Sequence, residues 1–246
     1  NPKVKHTKHL ENKRVVKMLD FSIDWILNKR TWIYSSFIVL IIVGAIGATY
    51  LTTTGTLVDD TPHDDPIYQD LLFFEKHFNG IMPFEISIDT KKKNGVMNLR
   101  NIRNIERLQD TLSKYPEFAK PLSIAEVLKF ITQSYFNGNP EHYRIPSNNE
   151  SSFIMGYIPK EHNENNILHS FLDSNKQVTR ISVQMANIGT KDIKRIKEEL
   201  QPKIDSIFDV SKYDVKITGT SIVFLKGTEY MISNLQEAMV ITLIII

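Results

Sequence analysis

The densest group of reactive side chains in this 246-residue chain is acidic: Asp59, Asp60, His63, Asp64 and Asp65 fall within seven positions. Carboxylates beside an imidazole are donors that a divalent cation accepts, but an oxygen-ligand site needs about six of them converging. The spacing matches no loop of defined ligand geometry, and Pro62 and Pro66 mark a turn instead. His77, His142, His162 and His169 are scattered without an HExxH or His-x-His pattern, which points to a surface role for each. GxSxG, P-loop and GxGxxG patterns are all missing. The absence of any cysteine removes a thiol nucleophile, a disulfide framework and Cys-ligated zinc. No catalytic residue, cofactor-binding residue or metal ligand is therefore expected, and the chain does not read as an enzyme. Asn149-Glu-Ser151 is a glycosylation sequon, a pattern common by chance, and Lys91-Lys-Lys-Asn-Gly95 reads as solvating a hairpin or loop.

Charge is uneven along the chain. Thirty Lys and Arg face 28 Asp and Glu, a formal net charge of +2, with 41% hydrophobic residues. This composition excludes a disordered or low-complexity protein. Residues 1–30 carry eight basic side chains against Glu11, Asp20 and Asp24, so the rest of the chain is slightly acidic. Nucleic-acid binding needs basic residues spread over a folded face, and that is not the pattern here.

The basic segment ends against an apolar one. Residues 31–51, TWIYSSFIVLIIVGAIGATYL, hold no charge and make about 32 Å of helix, enough to cross a bilayer core of about 30 Å. Trp32, Tyr34 and Tyr50 sit where interfacial aromatics belong, and Gly44 and Ala48 form a small-xxx-small pair. A signal peptide would have a shorter apolar region nearer the start. Lys29 and Arg30 set the N-terminal side as cytoplasmic. Upstream, Val15, Val16, Leu19, Ile23, Ile26 and Leu27 recur at helical spacing. The amphipathic helix this predicts suits either the inner membrane surface or a protein neighbour. The stretch Ala238–Ile246 is apolar for nine residues, too short to span, and the chain opens on Asn1. Both ends imply an internal fragment of a longer membrane protein.

Four segments follow: 1–30 a cytoplasmic linker, 31–51 a transmembrane helix, 52–218 an extracytoplasmic domain, and 219–246 a helix entering the membrane. Within the domain, Phe84–Asp89 alternates as a half-buried strand. Leu99, Ile102, Ile105, Leu108 and Leu112 predict a helix ended by Pro116. Ser123-Ile-Ala-Glu126 reads as a capping box before a helix carrying Val127, Leu128, Ile131 and Tyr135, which Asn137–Pro140 stops. The stretch 152–158, apolar on both faces, predicts a central strand, and 165–173 a short helix. Ile181, Val183 and Met185 line a third strand. Gly189-Thr190 opens a helix with Ile193, Ile196, Leu200, Ile204 and Ile207, which Pro202 should kink or split. Asp214–Thr218 is the last strand. The fold class is α+β, a sheet covered on one face by helices, with modules of the split-βαβ, ferredoxin-like kind.

Several runs carry a family resemblance. Asp59-Asp-Thr-Pro-His-Asp-Asp-Pro66, Phe73-Phe-Glu-Lys-His-Phe-Asn-Gly80 and Pro83-Phe-Glu-Ile-Ser-Ile88 resemble the start of a periplasmic loop in RND-superfamily exporters of the MMPL-type branch. Pro121-Leu-Ser-Ile-Ala-Glu126 and Ile217-Thr-Gly-Thr-Ser-Ile-Val-Phe-Leu-Lys-Gly-Thr228, running into Asn234-Leu235, are similar to it too. No single run is a catalytic signature; their order carries the likeness. The resemblance implies two similar halves, each a helix, a large porter loop and five further helices, with this chain as the seventh helix, its loop and the start of the eighth. It implies a multi-pass protein of the bacterial inner membrane that exports lipids or other hydrophobic molecules at the expense of the proton gradient. Its partners would be the bilayer, the substrate and the remaining helices of the same protein. The family's proton-relay carboxylates lie in a middle helix of the bundle, so no relay residue is carried over. Helix, extracytoplasmic domain and second helix also suit a two-helix sensor or an ABC-type permease of the macrolide-exporter kind.

Overall fold

The computed structural model describes residues 13–50, 55–56, 62–156 and 167–245. Asp59, Asp60 and His162 lie outside these residues, as do the last positions of the strand expected at 152–158 and the first of the helix expected at 165–173. The chain divides into two compact units, 1–52 and 53–246.

The first unit is helical. Helix α1 (Lys13–Asn28) and helix α2 (Arg30–Thr49) are separated by Lys29 alone. On α1, Val15, Val16, Met18, Leu19, Ile23, Trp25, Ile26 and Leu27 cover a broad apolar arc opposite Lys17, Asp20 and Asp24, and all of these apolar side chains are exposed. The Lys29 ammonium lies 5.7 Å from the Trp25 ring.

The second unit is built on β1 (Met82–Asp89). Its alternation puts Met82, Phe84, Ile86 and Ile88 wholly inside and Pro83, Glu85, Ser87 and Asp89 on the half-exposed face, as period-two geometry requires. The strand β2 (Val178–Met185) pairs antiparallel on one side, Ile86 opposite Ile181, and β3 (Asp214–Thr218) antiparallel on the other, Ile86 opposite Ile217. The order is β2-β1-β3, so β2 and β3 run parallel to each other with β1 between them. Against the inner face pack α4 (Leu99–Leu112) through Ile102, Ile105, Leu108 and Leu112, and α5 (Ile124–Tyr135) through Ile124 and Leu128. The helix α7 (Thr190–Ile207) adds Ile193, Ile196, Leu200 and Ile204, and α8 (Thr220–Ile245) adds Ile222 and Leu225. Burying such side chains contributes about 1.5–3 kcal/mol each, the force that holds the two layers together. The remaining helices are α3 (Pro66–Phe78), ahead of β1, and α6 (Asn148–Gly156), after α5.

The α+β class and the three strands at Phe84–Asp89, Ile181–Met185 and Asp214–Thr218 are as expected, with β1 starting two residues earlier. The strand expected at 152–158 is not formed: residues up to Gly156 belong to α6. Its apolar run buries only Ile154, while Phe153 faces solvent. The helix is set by Ser147, whose backbone N–H donates to Glu150 Oε2 at 2.8 Å, the acidic half of a capping box. Arg144 clamps the same carboxylate through two bonds of 2.9 and 2.8 Å. The sheet is therefore three-stranded. The short helix expected at 165–173 is a 3₁₀ turn, Ile167–Ser170, and α7 runs uninterrupted through Pro202.

Candidate functional site

Of the described helices with exposed apolar surface, α2 and α8 are the longest. α2 is 20 residues, about 30 Å, and all of its described side chains except Ile33 are exposed. Trp32, Phe37, Leu40, Ile42, Val43 and Ile46 project from every side of it. A helix apolar all round is one that is buried in protein or in lipid. Among the described helices it alone is long and apolar enough to cross a membrane.

The second, α8, changes character along its length. Ser221, Ile222 and Leu225 are buried in the domain core, whereas Leu235, Met239, Val240, Ile241, Ile244 and Ile245 are exposed. The junction that launches it is tightly made. Gly219 has φ +102°, and a Cβ there would lie 2.6 Å from the Pro83 carbonyl oxygen and 3.0 Å from the Glu85 nitrogen. Only glycine fits such a conformation and such a gap. Two residues on, the wholly buried Ser221 hydroxyl donates to the same Pro83 carbonyl at 2.8 Å. The start of α8 is thus fastened to the start of the central strand. Gly219-Thr220 is legible in the sequence as a helix start; the bond from Ser221 to a residue far upstream has no local signal.

The acidic cluster takes a structural role where it is described. Asp65 is the N-cap of α3, its Oδ1 accepting the Ile67 N–H at 2.8 Å, with Pro66 in the first turn. The His63 ring stands edge-on to Tyr68 and its carbonyl accepts from Gln69. No three His, Asp or Glu side chains converge on a metal-sized space among the described residues. His77 stacks on Phe73 at 4.1 Å and His142 on Phe136 at 3.9 Å. His169 lies in the Ile167–Ser170 turn. The Lys91–Gly95 loop is held against a second loop: Asn94 N–H donates to the Asn175 carbonyl and Val96 N–H to that of Lys176.

One partly buried ionic network stands out. Ser123 caps α5 by accepting the Ala125 N–H and donates to Gln109 Oε1 at 2.6 Å, tying α5 to α4. Glu126 does not close the expected capping box. Its Oε2 accepts from Tyr143 Oη at 2.6 Å and from Lys120 Nζ at 2.9 Å, and its Oε1 from Lys129 Nζ at 3.1 Å. Lys129 reaches on to Glu106 of α4 at 2.9 Å. Burial alone would raise the Glu126 pKa, but hydrogen bonds from Lys120, Tyr143 and Lys129 outweigh it and hold the value at about 2. The carboxylate stays ionised, so it serves as a fixed anchor and not as a proton carrier near neutrality.

A stability test follows from the sign of that shift. The folded pKa lies below the unfolded one, so the network's contribution is complete above the unfolded value of about 4.5 and is lost as pH falls toward 2. Glu126→Ala is expected to cost about 2 kcal/mol at pH 7, in line with losing hydrogen bonds to a charged group. Thermal melts should show the variant and parent converging between pH 4.5 and 2. A difference independent of pH in that range would mean the network is not what the substitution removed.

No protein-family model matches the chain, and no curated protein is significantly similar to it.

Proposed function

We propose that the chain forms the helix–domain–helix portion of an RND-type, MMPL-like exporter of lipids or other hydrophobic molecules, driven by the proton gradient. The observation that carries this reading is α2, a 20-residue helix whose apolar side chains are exposed on every side. Such a surface is stable only in hydrocarbon or beneath other helices. In this reading α2 spans the inner membrane and α1, with its wide apolar arc and basic start, lies along the cytoplasmic face. The α+β domain stands in the periplasm and shapes part of the substrate path, and α8 leads back to the bilayer. The β2–α7–β3 crossover around β1 supports a porter-like, split-βαβ module, and the motif order named above supports the family. In this reading the proton-relay carboxylates lie on membrane helices elsewhere in the protein, as the family resemblance implies.

The cysteine-free sequence makes topology directly testable. Lys17→Cys on α1 and Glu198→Cys on α7 are labelled with a membrane-impermeant maleimide in intact spheroplasts. Labelling at 198 at once, and at 17 only after permeabilisation, is the expected result. Labelling of both before permeabilisation overturns the topology. Efflux of Nile red from cells making the protein then separates functions. Faster efflux that a protonophore abolishes supports the exporter; efflux unchanged with the topology intact removes it and leaves the sensor reading.

A further inference from the structure

Positive charge in the second unit is gathered in one place. From Thr90 to Gln109 six basic side chains, Lys91, Lys92, Lys93, Arg100, Arg103 and Arg107, stand against Glu106 alone, in a domain that is otherwise acidic. All six are exposed. Glu106 is engaged by Lys129 of α5, and none of the six makes an ion pair with a described residue. The other arginines of the unit, Arg144, Arg180 and Arg195, each hold a carboxylate.

Helical geometry sets the three free arginines on one side. Arg100, Arg103 and Arg107 fall within about 60° of arc, opposite the buried Ile102, Ile105, Leu108 and Leu112, and cover about 10 Å of helix axis. Arg103 also donates to Asn148 Oδ1 at 3.1 Å, and Asp110 bounds the stripe at its C-terminal end. The lysine loop is fixed at the head of the stripe. The Asn101 side chain donates to the Gly95 carbonyl at 2.7 Å, and Asn98 caps α4 by accepting the Arg100 N–H at 2.9 Å. The carboxylates beside the loop face their own backbone: Asp89 accepts the Lys91 N–H, and Asp173 those of Gln177 and Val178.

Three features narrow the occupant. The charged groups of this face are all hydrogen-bond donors, so the complement is an array of anionic acceptors. No large apolar side chain between Phe78 and Leu122 is exposed. A folded protein partner therefore finds no hydrophobic anchor on the stripe, and a nucleic-acid base finds no ring to stack on. The apolar end of α8 leaves from the other end of the sheet. Ser221 fastens its start to Pro83, and Glu229 pairs with Lys194 in the first turn of α7 at 3.2 Å. The lysine loop follows Asp89, about 20 Å further along β1. A chain of phosphate groups meets all three conditions. It accepts bidentately from arginine, attracts lysine as a point charge, and binds through release of its counterions without apolar contact.

We propose that the Lys91–Lys93 loop and the Arg100–Arg103–Arg107 stripe bind a linear phosphate polymer through its charged backbone. The inference rests on the charge of this domain and stands whether or not the chain belongs to an exporter.

The test uses the full chain in nanodiscs of neutral lipid. Asn104→Cys, beside Arg100 and Arg107 on α4, carries an environment-sensitive dye as the chain's single cysteine, so that the basic residues 1–30 stay out of the signal. Titration with inorganic polyphosphate is expected to give a saturable response. Its log K should fall against log salt with a slope of about −4, roughly 0.7 for each of six contacts. Arg100→Gln with Arg107→Gln should weaken binding about tenfold or more and make the slope shallower by about 0.7 for each arginine lost. Lys191→Gln with Lys226→Gln removes the same charge from exposed positions elsewhere and should change neither. No response, or an equal loss in the two pairs, overturns the proposal. Polyglutamate of matched charge binding as tightly would name an acidic peptide as occupant and overturn it too. So would displacement of polyphosphate by anionic lipid vesicles, which would name a bilayer.

Discussion

Gly219→Ala is expected to destabilise the domain by about 3 kcal/mol, the strain of a forbidden backbone conformation plus a displaced strand. The methyl would lie 2.6 Å from the Pro83 carbonyl oxygen and 3.2 Å from the Phe84 Cα, atoms of the central strand that cannot rotate away. The Ser221 bond to the same carbonyl would be strained with them. At about 2–4 °C per kcal/mol for a domain of this size, the melting temperature should fall by roughly 6–12 °C. Gly227→Ala, on the same helix with nothing within 4 Å, is the control. Helix propensity makes it neutral or stabilising, by up to about 1 kcal/mol. Equal effects at the two glycines would show that the junction is not the constraint described.

The larger change is expected in α2. Leu40→Arg with Val43→Arg places two guanidinium groups near the middle of the helix, and each exchange shifts insertion by about 3 kcal/mol. Together they cost about 6 kcal/mol, which a segment containing Ser35, Ser36, Gly44 and Gly47 among its apolar residues does not have to spare. Lys17→Cys and Glu198→Cys introduced into the double variant should then label from the same side of the membrane. Unchanged labelling, with 17 and 198 still on opposite sides, would remove α2 as the spanning helix.

Much of this architecture is legible because periodicity reports which side of an element is buried. β1, β2 and α4 each carry apolar residues at a strict period, and each forms where that period lies. The stretch at 152–158 failed for the converse reason. Three apolar residues in a row fit either period, and the deciding signal was Ser147-x-x-Glu150, one turn earlier. A capping box was read instead at Ser123 and Glu126, where the serine caps but the glutamate is drawn to two lysines and Tyr143, partners that only tertiary structure brings together. Helix α3 lies within the runs that carry the resemblance, although Asp65-Pro66 announces its start locally. Ser221 illustrates the opposite limit, since its partner Pro83 lies at the other end of the domain.

The central place of β1 also governs when this domain is able to fold. β1 is the first of the described strands to be made, yet its nearest partner, Val178, follows α4, α5 and α6 in the chain, and its other edge waits for β3. At roughly 5–20 residues per second of synthesis, the Phe84–Ile88 strand spends on the order of ten seconds with both edges unpaired. Contacts so distant in sequence form slowly even in the finished chain. During that interval an apolar strand with open edges is a template for pairing with other chains. Pairing on both edges is complete only once Thr218 has emerged.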